Sequence, residues 1–417
     1  MWLALLLAAV AGACHRRIES PEVAAGGWVG AWTASQQLTE PRNLPPPPGL
    51  QGSTLRQVAR LTLGGAAVRL RFSNEFGTST MSIRQARIAR PAGPGAIDTG
   101  TDRPLTFAGS GAVTIPPGGA AWSDPIDFHV SAFDDVTVSL YIDSISSDVT
   151  GHPGSRATSF LQTGDHAASV TLPNAVTTEH WYVLSGIEVE RPDASSVVVT
   201  LGNSITDGRG SVTDGNTRWP DFLAGRLQAD ARTRDVGVLN AGIGGNAVVH
   251  GGLGPTALSR LERDVLTQRG ARWLIVLEGV NDIGGARDAA QAAQVATDLI
   301  AAYREIITRT RAAGIRAYGA TILPFGGSQY DDAARESARQ TVNAWIRSSR
   351  EWDAVIDFDS VMRDPEVPRQ LRADVDGGDH LHPNPNGYRV MADAIDLGLF
   401  TISSVRPTRG RPATLRR

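Results

Sequence analysis

Hydrophobic positions change their spacing near residue 190, and that change divides the chain. Before it, AVRLRFSNEF sets Val68, Leu70 and Phe72 against Arg69, Arg71 and Ser73, a period of two. VTVSLYID repeats the pattern with Val136, Val138, Leu140 and Ile142. Side chains alternate across a strand, so these runs predict strands with one buried face. PPGG at 116–119 and Gly-Pro-Gly at 93–95 supply turns between them. Residues 26–190 are therefore expected to form an antiparallel β-sandwich or jelly-roll-like accessory domain. The PPPPG stretch at 45–49 reads as a stiff surface loop.

Beyond RPDASS (191–196), unbroken apolar runs replace the alternation: SVVVTLG, VGVLNAG, RWLIVLEG, IRAYGATILP and AVIDFD. Between the third and fourth, Val295, Leu299, Tyr303 and Ile306 share one helical face, with Gly314 placed to end that helix. Strands covered by helices on both faces carry such continuous apolar runs. Residues 195–400 are thus expected as an α/β domain, a three-layer α/β/α sandwich on a five-stranded parallel, flavodoxin-like sheet. In open sheets of this kind, ligands meet the loops at the carboxyl ends of the strands.

The first such loop is Gly202-Asn203-Ser204-Ile205-Thr206-Asp207. A serine just past a strand, opening a helical turn, presents its hydroxyl and its own N–H to the same space. That suits a nucleophile with an oxyanion donor; helix capping is the structural alternative. The second loop, Asn240-Ala241-Gly242-Ile243-Gly244-Gly245-Asn246, lets backbone N–H groups approach a ligand. Its Gly242, Gly244 and Ala247 satisfy a dinucleotide pattern, but Gly251-Gly252 and Pro255 interrupt the helix that pattern needs. The third places Asn281 in Gly279-Val280-Asn281-Asp282, as an oxyanion donor or an Asx-turn. The fourth, Asp376 to Tyr388, sets Asp379 three residues before His382, ahead of an N-cap at Asn384 and Pro385.

Composition removes several alternatives. The chain has 417 residues, 41% hydrophobic, with a formal net charge of −3, so no global field recruits nucleic acid. All 40 basic residues are arginine; without lysine there is no Schiff base, no lysine-anchored cofactor and no P-loop. The arginine bias itself reads as genomic base composition. The single cysteine, Cys14, excludes an intrachain disulfide. It follows MWLALLLAAVAGA, whose apolar core is too short to span a bilayer and whose Ala11-Gly12-Ala13 fits a signal cleavage site. Residues 1–13 are expected as a signal peptide of an exported protein: secreted, periplasmic, or a cell-surface lipoprotein with a lipid anchor at Cys14. The basic end at 401–417 is expected as a disordered tail.

Taken in order, these four loops resemble the SGNH, or GDSL-type, hydrolase family, with Asn203 standing where that family's name places aspartate. The resemblance implies Ser204 as nucleophile and Asp379 and His382 as its triad partners. It implies an oxyanion hole from Ser204, Gly245 and Asn281, with no metal and no cofactor. It further implies a carboxylic ester hydrolase working by acyl transfer, on carbohydrate or other small acyl esters, with a lipase or aryl esterase of the same family as the alternative. Phe325, Tyr330 and Trp219 are candidates to stack on sugar rings, and core packing is their ordinary use. Two further alternatives are a β domain that serves only as a carbohydrate-binding module, and a metal-dependent hydrolase built on Asp376, Asp379, His380 and His382. Oligomeric state is not legible.

Overall fold

A computed structural model describes residues 27–191 and 195–401; the expected signal peptide at 1–13, Cys14 and the expected disordered tail beyond residue 401 lie outside the described residues. The first half is antiparallel β structure in three sheets. One holds Trp28–Thr33, Leu184–Glu190 and Gly65–Asn74 side by side, and another centres on Ser53–Arg60, Asp135–Ser144 and Met81–Ala89. The apolar positions read from sequence are buried, Val68, Leu70, Phe72, Val138 and Leu140 fully so, but the opposite face is also covered in places, where Ser73, Thr137 and Ser139 are buried.

The second half is a parallel sheet with β1 Ser196–Gly202, β2 Val236–Gly242, β3 Ala271–Leu277, β4 Arg316–Ala320 and β5 Ala354–Ile356. The strand order is 2-1-3-4-5, the doubly wound order of flavodoxin-like sheets. Among the described residues seven α-helices accompany it: α1 Ser204–Asp207, α2 Trp219–Ala229, α3 Val280–Gly284, α4 Ala289–Ala312, α5 Ala333–Ser348, α6 Phe358–Met362 and α7 Pro385–Asp393. Gly314, at φ +75°, follows the end of α4, where an L side chain is disfavoured. Among the described residues, no helix is long and apolar enough to cross a membrane.

The halves share a core. Val29, Leu70 and Ile187 belong to the same buried cluster as Val197, Leu239 and Val276. β2 is an edge strand, and the β region covers it: Thr62 Oγ1 donates to the Val238 carbonyl at 3.0 Å and accepts from the Val238 N–H at 3.1 Å. A free strand edge is a template for unwanted pairing, and this contact occupies it.

Candidate active site

The carboxyl ends of β1, β2 and β3 converge on one place. At the tip of β1, Asn203 is the N-cap of α1, its Oδ1 accepting from the Ile205 N–H at 3.1 Å. Capping therefore falls to Asn203, which leaves the Ser204 hydroxyl for other partners. That hydroxyl lies 2.8 Å from His382 Nε2. Ser204's own N–H, at the first helical position, has no acceptor within the turn.

His382 sits on the constrained turn before α7, where Asn384 caps the helix by accepting from the Gly387 N–H at 2.9 Å. Asp379 folds back on it: Oδ2 is 2.6 Å from His382 Nδ1, and Oδ1 accepts from the His382 and Leu381 N–H groups at 2.8 and 3.1 Å. Burial alone would raise the Asp379 carboxyl, but the His382 backbone and imidazole outweigh it and hold it below the ordinary carboxylate value. Burial lowers the His382 imidazole, against the bond and charge of Asp379 that raise it, with Arg209 and Arg156 adding to the lowering. The imidazole is thus neutral over more of the pH range, with Nδ1–H directed at Asp379 and the Nε2 lone pair at Ser204.

The other two loops carry the remaining candidates, Gly245 and Asn281. Gly245 adopts φ +72°, a left-handed conformation that favours glycine, and a Cβ there would stand 3.0 Å from Leu253 Cδ1. Asn281, in α3, donates from Nδ2 to the Asn246 carbonyl at 2.7 Å, and its Oδ1 accepts from the Tyr330 hydroxyl at 3.0 Å. An amide nitrogen carries two hydrogens, so one remains for a ligand. Asn281 is therefore an amide braced at both ends, and its bonds are not those of the Asx-turn offered as its alternative.

Several supports were not legible in the sequence. Arg260 is fully buried and donates to the Gly202 and Ala241 carbonyls at 3.0 and 2.6 Å, and to Asn246 Oδ1. One guanidinium thus ties the ends of β1 and β2 to the loop that braces Asn281. Asp282 accepts from the Val248 and Val249 N–H groups, which pins the same loop. Glu278 is buried under the site, accepting from Asn203 Nδ2 at 3.1 Å while its Oε1 has no hydrogen-bond partner; burial pushes its pKa up to about 8. Gly242, expected to approach a ligand, instead makes room for the turn of α1: a Cβ there would stand 2.3 Å from the Asp207 nitrogen.

The three aromatic candidates separate. Trp219 and Phe325 are fully buried, Trp219 against Phe358 at 5.6 Å between centroids, so neither presents a face to a sugar. Apolar surface on α2 and after β4 is consumed by the core, which corrects that expectation for both. Tyr330 is half-buried beside Asn281. The candidate metal set splits into two pairs, Asp379 with His382 and Asp376 with an exposed His380 at 2.5 Å. Among the described residues, no group of three or more His, Cys, Asp or Glu side chains is arranged to hold a metal.

Residues 200–390 match the family model described as GDSL-like Lipase/Acylhydrolase. No curated protein matches the chain. Among solved structures, an acetylxylan esterase from Geobacillus stearothermophilus is similar at 22% identity and TM-score 0.37, covering 48% of this chain and 93% of its own. A GDSL-like lipase from Bacteroides thetaiotaomicron VPI-5482 is similar at 20% identity and TM-score 0.35, covering 48% of this chain and 85% of its own.

Proposed function

We propose that this chain, whose residues 200–390 form a carboxylic ester hydrolase domain of the GDSL-like lipase/acylhydrolase family, works by two-step acyl transfer through Ser204, His382 and Asp379. The observation that carries the mechanism is the continuous relay from the Ser204 hydroxyl to His382 at 2.8 Å and on to Asp379 at 2.6 Å. His382 takes the Ser204 proton as the oxygen attacks the ester carbonyl, then gives it to the departing alkoxide. Asp379 keeps the ring in the productive tautomer and stabilises the imidazolium. The Ser204 and Gly245 N–H groups and the remaining Asn281 N–H hold the oxyanion. Water, activated by the same histidine, then releases the acid and restores Ser204.

For substrate, the proposal is a small acyl group, acetate above all, on a carbohydrate or another small alcohol. Crowding beside the oxyanion donors supports it: Leu253 packs over Gly245, and the Tyr330 ring lies where a Cβ of Gly284 would be, within 2.6 Å. The apolar leader and the attached β region favour an exported enzyme meeting extracellular polysaccharide, the lipid anchor at Cys14 being part of the same proposal. The domain division at 26–190 and 195–400 is likewise proposed as one accessory and one catalytic unit.

The test pairs the full chain with Ser204→Ala on nitrophenyl esters from acetate to long acyl chains and on acetylated xylan. Serine-dependent acetate release from the polymer is the expected result. Long-chain esters cleaved equally well would overturn the small-acyl reading, and full turnover in Ser204→Ala would overturn the mechanism.

A further inference from the structure

The turn that carries Ser204 is tied to the β region. Asp207 ends the turn that Ser204 begins, and its carboxylate is buried. The group it meets belongs to the β region: His152 Nε2 lies 2.9 Å from Asp207 Oδ1. The other ring nitrogen, Nδ1, faces the Ser35 carbonyl at 2.8 Å. A carbonyl only accepts, so Nδ1 carries hydrogen. A proton must then lie between Nε2 and the carboxylate, because otherwise two lone pairs would face each other. The imidazole stacks on Trp181 at 5.8 Å and 27°.

The surroundings are shaped to this pair. A Cβ on Gly154 would stand 1.7 Å from Asp207 Oδ2, so only glycine lets that β-region loop close over the carboxylate. Arg218 donates to the Asp207 carbonyl at 3.1 Å and to the Ser155 carbonyl, binding the turn and the loop together. Asp214 accepts from the Thr158 N–H and hydroxyl at 2.7 and 2.6 Å.

We propose that His152 is a positioning residue for ester hydrolysis: by gripping Asp207 it fixes the turn on which Ser204 is mounted. The β region is then part of the catalytic apparatus and not a detachable binding module; the inference rests on Ser204 being the nucleophile. The physical reason is the length of α1. A four-residue helix has one turn and no cooperative stability, so its direction is set by what its ends are tied to. Asn203 and Glu278 hold the near end, and His152 and Arg218 hold the far end. A hydrogen bond to a carboxyl group in a dry interior is a stiff tie. The attacking oxygen tolerates little displacement, since a misplacement of ~1 Å costs about 100-fold in rate.

The experiment compares the full chain with His152→Phe, His152→Gln and the double variant His152→Phe/Asp207→Leu. Each is assayed for kcat and KM on nitrophenyl acetate, with Ser204→Ala as control. Phenylalanine keeps the stacking on Trp181 and removes both donors. The double variant also removes the buried carboxylate, so it folds without an unpaired charge. The expected result is a fall in kcat of about 10- to 100-fold in both variants, with KM within about twofold. His152→Gln, which keeps one donor towards Asp207, recovers most of the loss. Wild-type kcat in either folded variant lacking the donor overturns the proposal. Activity surviving in Ser204→Ala overturns the nucleophile reading instead, so the two failures are told apart.

Discussion

The Tyr330 hydroxyl donates to Oδ1 of Asn281 at 3.0 Å, on the same amide whose nitrogen donates to the Asn246 carbonyl at 2.7 Å. An amide held at both ends can point its remaining hydrogen in only one direction. Preorganised donors of this kind need no reorganisation as charge develops.

Tyr330→Phe is therefore expected to lower kcat about fivefold with KM little changed, the loss of one hydrogen bond to an oriented donor. Asn281→Ala is expected to cost on the order of 10² to 10³. Steady-state kinetics of both singles and the double provide the check. If the tyrosine acts only through the amide, its removal costs nothing further in the Asn281→Ala background.

On the proposed mechanism, the acid limb of kcat/KM reports the protonation of His382 in the free enzyme. Its midpoint is expected below the ordinary imidazole value of 6.5, because burial dominates the balance. Asp379→Asn takes away the bond and charge that raise it, so the midpoint moves further down while kcat falls by about 10² to 10⁴. Arg209→Ala takes away a cation that lowers it, so the midpoint moves up. Profiles on a pH-insensitive ester read all three, and a midpoint unmoved in both variants would contradict the assignment.

Glu278 gives a pH-dependent stability with a definite sign. Its folded pKa, about 8, lies above the ordinary 4.5, so the folded state binds the extra proton between those values. The stability this adds is fully present below 4.5 and is lost as pH rises through 8. Glu278→Gln keeps the shape without the titration. Urea denaturation of both proteins at pH 5 and pH 8.5 is expected to show the wild type losing ground to the variant as pH rises.

Arg260→Met should be among the most destabilising single changes in the hydrolase half. It leaves the buried Asp264 carboxylate without one of its two guanidinium partners and the Gly202 and Ala241 carbonyls without their donor. Breaking a buried pair from one side costs about 3–5 kcal/mol. Denaturant titration reads the loss directly.

What the sequence disclosed, and what it did not, follows from the range of the interactions. β1 and β2 are read with the bounds Ser196–Gly202 and Val236–Gly242 because burial on both faces leaves an unbroken apolar run. Ser204, Asp379 and His382 stand out because the proposed acyl transfer calls for those residue types at strand ends and before a capped helix. His152, by contrast, meets Asp207 across 55 positions, and no local pattern marks a buried imidazole. Arg260 and Arg339, both fully buried, were hidden among 40 arginines that composition alone seemed to explain. Trp219 and Phe325 take the core role that was their ordinary alternative, and local sequence could not choose: an aromatic in a loop or at a helix start looks the same whether it faces solvent or core. Alternation in the first half reported that one face of each sheet is buried, but not that part of the covering comes from β2.

That shared covering has a consequence for how the molecule comes apart. With one apolar cluster running from Leu70 to Val276 and Thr62 seated on the Val238 backbone, neither half can shed the other without opening its interior. Heating should melt both together in a single calorimetric transition. A fragment cut at the sequence boundary would emerge with a bare strand and a greasy flank, prone to precipitate before it could be assayed. Grafting the hydrolase half onto another protein would have to carry its β neighbour along.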